Sequence, residues 1–225
     1  MPSERGLLKS RSDISILNVM MDGAPMFPDG WHPYTPIFKR DYSGLAKHFT
    51  RTQRPPKYFF IDFGLSRKYS PDDGPPLEPP ILGGDKSVPE FQGEGYSKPS
   101  NPFPTDVYYL GSFIREGFLE VSCWSVIAPA AFDVVTLLQR YRNVEFLTPV
   151  VTDMVQVDPE RRPTIEEVSS RATEVFAHLP AWKLRDRVVE KKETVLERTL
   201  FGLSHLFRTV KYLIKRLPAV PVPSD

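Results

Sequence analysis

Three short patterns, in a set order along the chain, hold residue types that can do chemistry. Asp13-Ile14-Ser15-Ile16-Leu17-Asn18 places a carboxylate and an amide five residues apart where an extended apolar segment begins. Asp62-Phe63-Gly64 closes a second apolar run, Tyr58-Phe59-Phe60-Ile61, of strong β-propensity. Asp158-Pro159-Glu160-Arg161-Arg162-Pro163-Thr164 stands immediately before a segment with a helix-start signal. Carboxylate and amide oxygens are hard donors of the kind that suit magnesium. Asp13 and Asn18 can equally do no more than cap or brace a turn. His32 has no second His, Cys or acid at metal spacing, so no zinc site is read here.

The elements that must position these residues follow from proline and from hydrophobic period. Nine prolines fall between Pro71 and Pro104, mixed with several glycines. Proline lacks the N–H donor and clashes with the preceding turn, so this stretch predicts an irregular loop of about thirty residues. A second irregular stretch spans Gly23 to Pro56. The apolar runs on either side of it, Ile14 to Met21 and Tyr58 to Ile61, are placed to pair as a small antiparallel ribbon. After Pro104 the pattern turns helical, with Thr105 or Asp106 as cap and an apolar face from Val107 to Phe118, reaching about Val121. Further helices are expected around 130–141 and 146–156. Thr164-Ile165-Glu166-Glu167 matches a capping box and starts a helix running to about His178, before Pro180.

Composition bounds the rest. With 225 residues, 40% hydrophobic and 25% charged, the chain is long enough for one large domain or two small ones. A net charge of +1 supplies no global reason to expect a nucleic-acid partner. The single cysteine, Cys123, excludes an internal disulfide and reads as a small buried residue. The N-terminus has no apolar run of signal-peptide length, and no window reaches a spanning helix, so a cytoplasmic or nuclear protein is expected.

Between the second and third patterns lie Val88-Pro89-Glu90 and Asp106-Val107-Tyr108-Tyr109-Leu110-Gly111. Together, in this order, the five pieces resemble the C-terminal lobe of the eukaryotic protein kinase family, from catalytic loop to last core helix, over about residues 11 to 176. The resemblance implies an α+β, mainly α fold. It divides the chain into a residual segment 1–10, a kinase-like lobe 11–178 with an activation segment at about 65–104, and a tail 179–225 with a Pro-rich end. It implies ATP-dependent phosphoryl transfer to protein Ser or Thr hydroxyls, with Asp13 as base and Asn18 and Asp62 holding Mg²⁺ against ATP. Glu90 and Arg162 correspond to a buried ion pair tying the activation segment to the helices, and Asp106 to an acid bracing the catalytic loop.

Several departures weaken the activity more than the fold. Arg11 and Ser12 stand where the family has His-Arg, and Ser15 stands where a lysine usually steadies the transferring phosphate. The connection from Asn18 to Asp62 is far longer than the family's tight hairpin, and reads as an ordered insert, a docking loop or an unconstrained loop. No Gly-rich loop, strand lysine or partner glutamate helix precedes Arg11, so the chain is expected to be a poor kinase. The alternative is an inactive pseudokinase or kinase fragment that serves as an interaction module for a protein partner.

The cleanest period belongs to residues 194–217. Leu196, Leu200, Leu203, Phe207, Val210, Ile214 and Leu217 form one helical stripe, accompanied by five basic residues and the acid Glu197. Three roles stay open for this amphipathic helix: packing back on the lobe, docking to a partner helix or a second copy, and lying on an anionic membrane surface.

Overall fold

The computed structural model describes residues 8–10, 18–70, 72, 74–80, 87–119 and 141–223. Asp13, Arg11, Ser12, Ser15 and Cys123 lie outside them, as does the helix expected over 130–141 except its last residue, Tyr141, which is in a strand. The fold is mixed α and β and mainly helical, with short antiparallel pairs. It divides into two compact units that interleave along the chain. The first comprises Met1–Asn18, Asp62–Leu179 and Val188–Glu193; the second comprises Val19–Ile61, Pro180–Arg187 and Thr194–Asp225.

In the first unit, β1 (Leu8–Ser10) pairs antiparallel with β4 (Arg67–Tyr69). The helical layers follow as α1 (Pro102–Ile114), α2 (Thr148–Met154) and α3 (Ile165–His178). α1 starts earlier than the pattern after Pro104 predicts. Asn101, not Thr105 or Asp106, is its cap, accepting from the Phe103 amide at 3.1 Å. Pro102 and Pro104 fall in the first turn, where the missing N–H has no intrahelical partner to lose. A π-helical turn, Arg115–Leu119, continues α1.

α3 begins as its sequence predicts. The Thr164 hydroxyl accepts from the Glu167 amide at 3.3 Å, and the Glu167 carboxylate accepts from the Thr164 amide at 2.9 Å. Val107, Val150, Met154 and Val168 form one core cluster across α1, α2 and α3. A second cluster joins Val88 to Tyr108 and Tyr109, and a third joins Leu119, Val144 and Val151. Where α1 meets α2, a Cβ on Gly111 would stand 2.8 Å from the Met154 Cβ and 2.9 Å from the Val155 Cγ1. Glycine lets the two helices approach this closely. A further antiparallel pair joins β5 (Tyr141–Arg142) to β6 (Val189–Glu190).

The second unit contains the ribbon that the two apolar runs predict. β2 (Val19–Met21) pairs antiparallel with β3 (Tyr58–Phe60), in the register Val19 with Phe60 and Met21 with Tyr58. Their connection is ordered by rings rather than by regular structure. Phe27 stacks at 5.1 Å on Trp31, His32 at 4.1 Å on Tyr42, and the Arg54 guanidinium lies 3.9 Å from the Phe49 centroid.

The same unit contains α4 (Ala181–Leu184) and α5 (Val195–Ile214). α5 opens on a second capping box, Thr194 with Glu197. Tyr212 is its one buried side chain and shares a 2.7 Å hydrogen bond with the Thr50 hydroxyl. The stripe read from the sequence points outward, with Leu196, Leu200, Leu203, Phe207, Val210 and Ile214 all exposed. Among the described residues no helix is long and apolar enough to cross a membrane.

Candidate functional site

The Glu90–Arg162 anchor is assembled from two local signals and a long-range fit. Val88 is fully buried, and Pro89 starts a single 3-10 turn, Pro89–Phe91, that carries Glu90. At the other side, the Asp158 carboxylate accepts from the Glu160 amide at 3.0 Å and caps the turn Pro159–Arg161. Arg162 precedes Pro163, which disfavours helix there, and its backbone is extended at φ −74° and ψ 138°.

The guanidinium of Arg162 meets the Glu90 carboxylate in a fork, Nη1 to Oε1 at 2.8 Å and Nη2 to Oε2 at 2.7 Å. Its remaining donors reach the carbonyls of Gln156 (2.8 Å), Pro104 (3.0 Å) and Val157 (3.4 Å). All five guanidinium N–H groups therefore have an acceptor. The Thr105 hydroxyl donates to Glu90 Oε1 at 2.7 Å, and the guanidinium carbon lies 4.8 Å from the Tyr108 ring centroid. The side chains are 0% and 8% exposed.

Burial alone would raise the Glu90 carboxyl; the Arg162 and Thr105 hydrogen bonds outweigh it and hold the group below its ordinary value. With every guanidinium donor used and the carboxylate buried, the pair serves to anchor the 87–91 segment to α1 and the 156–163 segment. Thr105, Tyr108 and the three carbonyls were not legible as its partners. Thr105 looked like a cap, and backbone carbonyls have no residue-type signal.

Asp62 and Asn18 belong to the same unit and flank one end of the β2–β3 ribbon in the chain. Asn18 directly precedes Val19, and Asp62 follows Phe60 by two residues. Asp62 takes a left-handed backbone at φ 56°, which Asp tolerates better than most residues. Its Oδ1 accepts from the Gly64 amide at 3.3 Å, folding the Asp-Phe-Gly turn on itself, while the side chain stays exposed. Asn18 is half-buried.

These two residues supply one carboxylate and one amide. They fit magnesium in kind, since magnesium retains waters and needs few protein oxygens. Among the described residues no group of three or more His, Cys, Asp or Glu is gathered as for a metal ion. Asp13, the third residue of the expected site, lies outside the described residues. Asp106 sits half-buried in the second turn of α1.

On the β4 side of the loop, Arg67 pairs with Glu78 at 3.0 Å. Burial, and then the Glu78 carboxylate, push the Tyr69 hydroxyl up to about 12.

The second unit contains a cavity of about 360 Å³ that no sequence pattern announced. Thr50 and Arg51 come from the insert, Arg185 from the α4 end, and His205, Arg208 and Tyr212 from α5. Three segments distant in sequence supply it, so no local spacing could mark it.

No family model matches the chain, and no curated protein matches it.

Proposed function

We propose that the chain is a protein-kinase-like domain that transfers a phosphoryl group from ATP to serine or threonine hydroxyls of a protein, in the cytoplasm or nucleus. The observation that supports this reading is the Glu90–Arg162 fork. Two residues 72 positions apart, singled out by the kinase resemblance alone, meet in a buried bidentate pair. The reading takes further support from Asp62, whose exposed carboxylate closes the Asp-Phe-Gly turn from a left-handed backbone at φ 56°. Backbone outliers of this kind gather at functional sites.

In this reading Asp62 and Asn18 hold Mg²⁺, whose charge when bound offsets that of the phosphates. Asp13 orients the acceptor hydroxyl and takes its proton as the new P–O bond forms and the bond to ADP breaks. The anchor holds the 87–91 segment in place so that an acceptor peptide can be aligned.

The test is binding of Mg-ATP to the full chain by calorimetry, with phosphoryl transfer to a generic protein substrate as the second readout. Asp62→Asn should weaken Mg-ATP binding at least about tenfold and abolish transfer, with the melting temperature unchanged. Failure of the wild-type chain to bind Mg-ATP overturns the catalytic reading.

One observation favours a second reading, an interaction module of kinase-like fold: the apolar side chains of α5 are turned to solvent. In that case Asp62→Asn is silent, while substitutions on α5 are not.

A further inference from the structure

α5 is attached to its own unit by one face only. Tyr212 is 8% exposed and bonded to Thr50, and His205 Nε2 donates to the Arg185 carbonyl at 2.9 Å. With 3.6 residues per turn, these two side chains lie within about 20° of one another around the helix axis. Leu203, Phe207, Val210 and Ile214 lie on the opposite side, and Phe207 and Ile214 are 75% and 77% exposed. Leu206 and Leu213 widen the arc and are exposed as well. The fold thus uses one side of the helix and leaves an apolar arc of about 120° facing water. A surface of that kind marks an interaction site, because covering it is favourable.

Charge decides what covers it. Arg208, Lys211 and Lys215 run along one edge of the arc, and Glu197 is the only acid in the helix. The whole second unit carries 14 Lys and Arg against 6 Asp and Glu, a net +8, whereas the first carries 15 against 22, a net −7. The near-neutral total of +1 hides this division. A second copy docked arc to arc would bring two +8 units together, and juxtaposed like charge is costly. A nucleic acid would satisfy the cations and leave the apolar arc in water. An anionic bilayer satisfies both: the arc enters the boundary between headgroups and acyl chains, and the lysines meet the headgroups.

We propose that α5 is an interfacial helix that holds the second unit on an anionic lipid surface, with Phe207 and Ile214 inserted and Lys211 and Lys215 at the headgroups. The inference is independent of catalysis at Asp62. The helix lies on the surface rather than crossing it, which fits its basic residues and its polar inner face.

The test uses the full chain and vesicles of phosphatidylcholine, with or without about 30% phosphatidylserine, a fraction chosen to give a negative surface potential. Co-sedimentation with the anionic vesicles and not the neutral ones is expected, and it should fall as salt rises. Lys211→Gln with Lys215→Gln should lower partitioning about thirtyfold. Phe207→Glu with Ile214→Glu should abolish it. All four positions are exposed, so the far-UV circular dichroism and melting temperature should not change. Phe207→Trp should show a blue-shifted emission on addition of anionic vesicles. The proposal is overturned if the wild-type chain stays in the supernatant at low salt, or if Phe207→Glu with Ile214→Glu binds as well as wild type. It is also overturned if sedimentation equilibrium finds a dimer that dissociates in the Phe207→Glu variant and does not bind vesicles.

Discussion

Ten of the buried hydrophobic side chains among the described residues belong to the first unit, in three clusters around α1 and α2. The second unit contributes Ala46 and Tyr212, and otherwise relies on stacked rings and single hydrogen bonds. The first also buries an ion pair with every guanidinium donor used, while the second keeps its many cations at or near the surface. The lesson is one of division. Apolar side chains turned inward stabilise the first unit, and those on α5 are turned outward, where they can serve only something outside the unit.

The largest test of that contrast is at the anchor. Arg162→Ala should destabilise the first unit by about 3–5 kcal/mol, because it strands the Glu90 charge in a buried site. Urea unfolding reads the loss. Adding Glu90→Met to Arg162→Met should restore much of the stability, since the desolvation penalty goes with both charges. A double variant as unstable as Arg162→Ala would show that the carbonyl and Thr105 bonds matter more than the pair. Gly111→Ala comes next, at about 1–3 kcal/mol, because its methyl would overlap Met154 and Val155 where α1 crosses α2.

Equal chemistry in the two units sharpens the comparison. Thr164→Ala and Thr194→Ala each remove one side of a capping box and should cost about 1 kcal/mol. The first loss should appear in the urea transition and the second as reduced helicity of α5 at 222 nm. Tyr212→Phe removes the bond to Thr50 and should cost about 0.5–1.5 kcal/mol, mainly in the second unit. Hydrogen exchange along α5 would localise it.

At neutral pH the last effect is invisible. The Glu90 carboxyl is held below its ordinary value, so its contribution is fully present above an unfolded-state value of about 4.5 and is lost as pH falls through the folded one. Stability of the wild-type chain should therefore drop more steeply below about pH 4.5 than that of Glu90→Gln. Parallel acid profiles would assign the pair no role in pH dependence.

What was readable in advance follows the range of the interaction. The β2–β3 ribbon was legible because two apolar runs flank one irregular stretch, and α3 because Thr164 and Glu167 stand at capping-box spacing. The second box, Thr194 and Glu197, stands at the same spacing in front of the stronger hydrophobic period of α5. The start of α1 was misplaced because two prolines looked like a barrier, although the first helical turn has no N–H bonds for them to break. Glu90 and Arg162 were singled out by resemblance, and nothing in their local sequence states that they touch.

By itself, then, the sequence determined the local matters: where α3 begins, where the backbone turns at Asp62-Phe63-Gly64, and which side chains of α5 share a face. These depend on neighbours within about four positions, such as caps, prolines and helical period. The tertiary structure alone decided that β1 pairs with β4 and β5 with β6, and that insert and tail form one unit. It also decided that Tyr212 faces inward while Phe207 faces water. A periodic stripe states which residues lie together; what they lie against depends on partners brought from elsewhere in the chain, and periodicity carries no record of them.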